Sequence, residues 1–213
     1  MPRISTRVGM AVSLVGVSAA VLVAPPAQAV PDTTAQGVVV RPRHHGPKVA
    51  YNRWKWFTNT YWIVPKRGIY SVVHSGSDPR KFIVTRGQTV FHITDYVNGY
   101  WTGTVVVKLT RAQVPTCQYV LGQITPQGRV AMTMYDTSTG AVINQPTGQM
   151  VRKRGKWTMV NTMTAPTSGG GTISHWAYMV QSRKGDRTFR NLPFAHRSIP
   201  QFMSACPAGP RIR

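Results

Sequence analysis

Short apolar runs separated by turn residues make up most of the chain beyond residue 50. The runs are rich in Val, Ile, Tyr, Trp and Thr, and none shows the apolar stripe of an amphipathic helix. This pattern predicts an all-β fold, an antiparallel meander of roughly nine to eleven strands that forms a barrel or a sandwich. The predicted strands cover residues 61–64, 69–74, 81–85, 89–96, 100–109, 119–124, 129–135, 148–153, 156–164 and 172–181.

Turn residues mark several of the connections between these strands. Asn98-Gly99 predicts a two-residue type I′ hairpin, because both residues tolerate a positive φ. Arg86-Gly87 and Arg154-Gly155 are interpreted as two further connections between consecutive strands. Pro146 leaves the segment 141–152 open to two interpretations, one bent strand or two separate strands.

Alternation within the strands assigns side chains to faces, because successive residues of a strand point to opposite sides. On the strand at 100–109, one face carries Trp101, Val105, Val107 and Leu109, which are predicted to point inward. Met132 and Met134 share a face of the strand at 129–135, and Trp157, Met159 and Met163 share a face of the strand at 156–164. Methionine packs into irregular gaps, so we interpret these methionines as core filling. The alternative is an adaptable cavity, lined by Met and Trp, that carries a small apolar ligand.

Residues 1–29 have the composition of a secretory signal peptide. Arg3 and Arg7 precede an apolar run over 11–24, and small residues at 27–29 match a signal peptidase site. The apolar run of about 14 residues is shorter than the roughly 20 needed to span a bilayer. We therefore expect a secreted, extracellular monomer with no transmembrane segment in the mature chain.

The expected organisation places four segments in order. They are the signal peptide at 1–29, a flexible arm at 30–50, the antiparallel β domain at 51–182 and a basic, proline-containing tail at 183–213. Cys117 and Cys206 are the only cysteines, and in an oxidising compartment such an isolated pair most often forms a disulfide. That bond would fasten the tail, which is expected to be irregular, to the β domain.

The scarcity of acidic residues excludes several kinds of chemistry. The chain has 26 Lys and Arg, five Asp and no Glu, and its formal net charge is +21. A glycosidase needs two positioned carboxylates and is disfavoured, and a Glu-dependent zinc protease is excluded. A basic surface with so few acids favours an anionic polymer or an anionic surface as partner, such as nucleic acid, teichoic acid, a sulfated glycan or a lipid surface.

The order of the strands brings basic residues together at one end of the sheet. Two strands and one turn separate the cluster at 152–156 from Arg183 and Lys184, so both groups lie at the same end. Trp157 is available to stack on a base or a sugar. The predicted polyanion-binding residues are Arg152, Lys153, Arg154, Lys156, Trp157, Arg183 and Lys184.

The path of the chain at Pro146 decides which further bases join this cluster. A single strand over 141–152 predicts a larger rim, which adds Arg80, Lys81 and Arg129. Two strands instead place the cluster beside Lys66, Arg67, Arg86 and Arg111.

Constellations of catalytic residues are sparse. His92 and Asp95 have opposite parity on one strand, so their side chains are predicted to point to opposite faces. The remaining enzymatic alternative is a secreted nuclease or other hydrolase that uses His92 and His175 with Lys156. No catalytic residue, metal site or cofactor is predicted, and the sequence favours binding over catalysis.

The run of short strands that contains Gly-Tyr-Trp-Thr-Gly at 99–103 resembles the calycins, which comprise the lipocalin and avidin architectures. The resemblance covers the strand pattern and carries over no site residues. It implies a barrel whose mouth binds a small ligand. The leading functional expectation remains a secreted binding protein with an anionic partner, followed by a carrier of a small apolar ligand and then by a hydrolase.

Overall fold

A computed structural model describes residues 53–65, 69–78, 80–110, 112, 114–167 and 169–212. All of them belong to one compact unit, His44–Arg213. The signal peptide expected at 1–29 and the arm expected at 30–50 lie outside the described residues.

The expected all-β fold is confirmed, and the ten strands follow one another along the chain with short connections. The strands are β1 (Thr60–Ile63), β2 (Ile69–His74), β3 (Phe82–Val97), β4 (Tyr100–Leu109), β5 (Thr116–Ile124), β6 (Arg129–Asp136), β7 (Val142–Asn144), β8 (Thr147–Lys153), β9 (Lys156–Pro166) and β10 (Thr172–Ser182). A 3-10 turn at Lys55–Phe57 precedes β1, and two short helices, α1 (Arg187–Arg190) and α2 (Ile199–Met203), follow β10.

The strands form one antiparallel sheet whose backbone hydrogen bonds run in a ring, which makes the fold barrel-like. β1 and β2 lie end to end, because both pair with β3 on one side and with β10 on the other. β7 and β8 likewise lie end to end along β6. The ten strands therefore occupy eight positions around the ring. We call the end that carries the turns at 98–99, 125–128 and 154–155 the hairpin end, and the opposite end the far end.

The predicted connection at Arg86-Gly87 is wrong, because β3 runs straight through it. Gly87 pairs with Ile69 of β2 and with Leu109 of β4 at the same time. A Cβ atom at Gly87 would lie 2.7 Å from the Lys108 carbonyl oxygen, so glycine serves close strand approach here rather than a turn.

The segment around Pro146 combines the two interpretations that the sequence left open. It is divided into β7 and β8, but both strands run antiparallel to β6, so the chain does not reverse at Pro146. The hairpin at Asn98-Gly99 is as predicted, with φ values of 49° and 91°.

Large aromatic side chains fill the half of the ring at the hairpin end. Trp54, Phe57, Trp62 and Trp101 are at most 1% exposed. The ring of Phe57 lies at the centre of this group, with centroid distances of 5.8 Å to Trp54, 5.5 Å to Trp62 and 6.4 Å to Trp101. The indole nitrogen of Trp54 donates to the Thr125 carbonyl at 2.9 Å, which fastens the 3-10 turn to the turn at 125–128.

The inward face predicted for β4 is confirmed. Trp101, Val105 and Val107 belong to the interior core, and Leu109 lines a cavity that continues it. The opposite face of β4 is also covered, since Thr102 and Thr104 are buried.

The tail after β10 covers that outer face. Leu192, Ile199 and Phe202 pack against Ile63, Val90 and Val106 in a second apolar cluster. The predicted disulfide between Cys117 and Cys206 is present and joins the tail to β5. The tail is more regular than expected, because Ser198 caps α2 by accepting a hydrogen bond from the Gln201 backbone nitrogen.

Gly122 provides a stability test of the aromatic interior. A Cβ atom there would lie 2.0 Å from Cε2 of Trp101, whose side chain is fully buried. We expect Gly122→Ala to lower the free energy of unfolding by about 1–3 kcal/mol, because the overlap forces strain on the core. Urea denaturation measures the effect.

Gly169→Ala is the matched control, since a Cβ atom at that position meets no atom within 4 Å. Its free energy of unfolding should stay within about 0.5 kcal/mol of the wild-type value. Equal stabilities of the two variants would contradict the packing described for Trp101.

Candidate functional site

The hairpin between β8 and β9 carries the densest group of cations. Lys153 pairs directly with Lys156, and Arg154-Gly155 forms the turn between them. Both turn residues have positive φ, 50° for Arg154 and 77° for Gly155, which is the backbone of a two-residue type I′ hairpin. Because β10 runs back along β9 to this end, Arg183 arrives beside the hairpin.

These residues border a groove of about 720 Å³ at the hairpin end. Basic and aromatic side chains dominate its lining, and we call it the basic groove. The basic side chains are Lys153, Arg154, Lys156 and Arg183, and the aromatic ones are Trp56, Trp157 and Tyr178. Asp186 is the one acidic residue in the lining. Its Oδ2 atom accepts a hydrogen bond from the Arg183 backbone nitrogen at 2.8 Å.

Five of the seven residues predicted to bind a polyanion line the groove. The other two are Arg152, whose guanidinium lies 5.3 Å from the centroid of Trp157, and Lys184, which follows Arg183 in the adjoining turn. Arg129 begins β6 at the same end of the ring. The aromatic lining residues missed by the sequence are Tyr178 of β10 and Trp56, because no local pattern shows that the 3-10 turn packs beside this hairpin.

Arg80 and Lys81 do not join this end, which corrects the prediction of a larger rim. The prediction counted two strands, 81–85 and 89–96, where the structure has the single strand β3. With one reversal of the chain fewer, the start of β3 lies at the far end. The backbone nitrogen of Ser75, just after β2, donates to the Lys81 carbonyl at 3.1 Å, which fixes that placement. A reversal of the chain at Pro146 was expected to bring four other bases to this cluster. Of these, Arg86 lies within β3 and pairs with Tyr70 of β2. The other three, Lys66, Arg67 and Arg111, fall outside the described residues.

The four cations of the basic groove outnumber its one carboxylate, that of Asp186. Among the described residues the one ion pair within 4.0 Å joins Arg80 to Asp78, on the connection between β2 and β3. In the groove, the Arg183 guanidinium donates to the neutral Gln181 side chain at 2.9 and 3.2 Å. The Lys153 ammonium lies 4.9 Å from the centroid of Tyr178. The groove therefore presents net positive charge to solvent.

Trp157 is engaged within the protein. Its ring lies edge-on to Trp54 at a centroid distance of 4.9 Å, and the guanidinium of Arg53 lies 5.5 Å from its centroid. Trp56 also lines the groove and is 36% exposed. Trp56 also contacts the rings of Trp54, Phe57 and Trp62, but it is more exposed than Trp157.

The two histidines of the hydrolase alternative lie in different places. His92 is on the outer face of β3, where its Nε2 atom is 3.1 Å from Oδ1 of Asn59 and its ring stacks on Tyr61. His175 lines the interior cavity at the far end. Burial lowers the pKa of both imidazoles and so favours their neutral forms. Lys156 lies in the basic groove, so the three residues do not meet in one concave site.

The interior cavity is lined by methionines but by no tryptophan. Met132, Met134, Met163 and Met179 border it, and three of them (Met132, Met134 and Met179) also belong with Met150 and Met159 to the interior core. The methionines thus occur both in the filled core and around a cavity, and a ligand of that cavity stays a prediction.

Comparisons with known proteins do not assign this chain to a family. No family model matches it, and no match was found among curated proteins or among solved structures. Within the described part of the chain, no helix is long and apolar enough to cross a membrane. Within the same part, no group of three or more His, Cys, Asp or Glu residues is arranged to hold a metal ion.

The left-handed backbone of Arg154 can be tested independently of binding. Asparagine tolerates this conformation better than arginine does, and Asn98 already occupies the equivalent position with a φ of 49°. Left-handed backbone costs an ordinary residue roughly 1–2 kcal/mol, and asparagine recovers part of this cost. We therefore expect Arg154→Asn to raise the free energy of unfolding by roughly 0.5–1 kcal/mol. Thermal unfolding at fixed ionic strength measures the change.

The reciprocal substitution Asn98→Arg is the control. It places arginine in the same backbone geometry away from the basic groove, and its free energy of unfolding should fall by a comparable amount. A loss of stability in Arg154→Asn would show that the Arg154 side chain contributes to folding.

Proposed function

We propose that the protein is a secreted binding protein that holds a segment of an anionic polymer in the basic groove. The observation that carries this proposal is the convergence of four cations, Lys153, Arg154, Lys156 and Arg183, on one groove without carboxylate partners among the described residues. The four cations are contributed by three consecutive strands and the turns that end them, so closure of the ring holds them together.

Phosphate and sulfate groups suit this arrangement of donors. Arginine presents a planar fork that can bind two oxygens of one group, and lysine adds a compact charge. The groove is concave, so a linear chain can enter it, whereas a flat bilayer meets only its rim. Exposed Trp56 adds an aromatic surface on which a base or a sugar ring can stack.

Two features support a location outside the cell. Residues 1–29 have the pattern of a signal peptide, and the Cys117–Cys206 bond is of the kind that persists in oxidising compartments. The net charge of +21 favours association with the anionic polymers found at cell surfaces and in the extracellular space.

A quadruple variant tests the groove directly. We expect Lys153→Ser, Arg154→Asn, Lys156→Ser and Arg183→Ser together to weaken binding of heparin and of single-stranded DNA by at least about tenfold, because the main charge contacts are lost. For the wild type, four contacts predict a slope of log K against log salt of about −2.8 for single-stranded DNA and about −3.6 for a duplex. Fluorescence anisotropy at several salt concentrations measures both quantities.

A second quadruple variant controls for net charge. Arg80→Ser, Lys81→Ser, Lys108→Ser and Arg197→Ser remove the same four charges outside the basic groove, and binding should weaken by less than about threefold. Equal losses in the two variants would show that overall charge, not the groove, determines binding. Binding to anionic vesicles that exceeds binding to both polymers would replace the polymer with a membrane surface.

A further inference from the structure

The interior of the ring is not filled at the far end. A cavity of about 180 Å³ lies there, beyond the aromatic group that fills the hairpin half. It reaches the ends of the strands, because Leu109 is the last residue of β4, Thr116 the first of β5 and Pro166 the last of β9. A ligand can therefore approach it from the end opposite the basic groove.

No charged side chain lines this cavity. Its wall consists of apolar residues, methionines, hydroxyl-bearing and amide side chains, and one histidine. In a chain with 26 Lys and Arg, a wall free of Lys and Arg gives an anion no partner inside. Burying an unpaired charge is costly, so the chemistry of the wall selects an uncharged ligand.

Four polar atoms of the wall are buried and have no hydrogen-bond partner among the described residues. They are Oε1 of Gln118, Oδ1 of Asn144, Oδ1 of Asn161 and Nδ1 of His175. The three amide side chains belong to residues that are only 7%, 8% and 4% exposed, respectively. Buried polar groups are nearly always partnered, so a cluster of unpartnered ones around one cavity indicates that something inside it supplies the partners.

The hydroxyl group is the partner that fits this wall. An amide can turn over and present either its oxygen or its nitrogen, and a hydroxyl both donates and accepts. Asn161 already uses its nitrogen towards the Met179 sulfur, at 3.7 Å, which leaves its oxygen for a donor. The apolar remainder of the wall requires an apolar body attached to that hydroxyl.

We propose that the far-end cavity binds a neutral compound of single-ring size that carries a hydroxyl group. A cavity of about 150 Å³ holds a benzene-sized molecule, and this one is slightly larger at about 180 Å³. Met132, Met134, Met163 and Met179 can adjust to the shape of the ring, because methionine has no branch and three rotatable bonds. This site is independent of the basic groove, and neither requires the other.

Methyl NMR of the full chain with labelled methionines tests the proposal with phenol, toluene and benzoate as probes. Phenol should shift Met132, Met134, Met163 and Met179 and leave Met203, which packs in the outer cluster, in place. Toluene, which lacks the hydroxyl, should bind about threefold to tenfold more weakly, the effect of one hydrogen bond. Benzoate should produce no shift at these four methyls. The absence of any shift with phenol, or equal affinities for phenol and benzoate, would overturn the proposal.

Gln118→Met tests the polar wall, because it replaces an unpartnered amide with an apolar side chain of similar shape. The melting temperature should be unchanged or higher, since an unsatisfied buried group is removed. The preference for phenol over toluene should fall by at least about twofold. Gln123→Met is the control, because Gln123 lies on the same strand with its side chain exposed, and the preference should stay at its wild-type value.

Asn144→Leu provides a second measurement if Gln118→Met does not fold. Asn144 ends the three-residue strand β7, so its replacement disturbs little regular structure. The same fall in preference for phenol is expected. A preference that stays at the wild-type value in the folded variant would show that the wall does not recognise the hydroxyl.

Discussion

Closure of the sheet into a ring of backbone hydrogen bonds is the constraint on which the rest of the structure depends. Eight positions around a ring enclose an interior that side chains must fill or leave open. Here the 3-10 turn before β1 brings Trp54 and Phe57 to one end, where they meet Trp62 and Trp101. The same interior at the far end receives smaller and more flexible residues, and a cavity remains.

The two ends of the ring consequently differ in chemistry. At the hairpin end aromatic side chains fill the interior, and the rim carries cations. At the far end the interior is accessible and its wall carries no charge. The tail, which the Cys117–Cys206 bond attaches to β5, covers the part of the outer face around Ile63, Val90 and Val106.

Much of the strand pattern could be predicted from the sequence, because alternation and turn residues are local signals. The bounds of β2 and β4 match the prediction residue for residue. The turn predicted at Gly87 is wrong, because this glycine lets the Lys108 carbonyl approach β3. That contact exists only once β4 pairs with β3. Trp56 was missed for a similar reason, since its place in the basic groove depends on where the 3-10 turn packs. The unpartnered amides of the cavity are likewise visible only when strands distant in sequence meet.

The hairpin at 153–156 bears two local costs that the hairpin at 97–100 avoids. Lys153 and Lys156 stand directly opposite each other, and like charges in cross-strand pairs are destabilising. Arg154 holds a left-handed backbone that Asn98 adopts more readily in the other hairpin, where Val97 faces Tyr100. Natural chains are locally consistent except where function requires otherwise. Two independent departures within four residues, at the rim where Arg183 also arrives, therefore support the proposal that this hairpin serves binding.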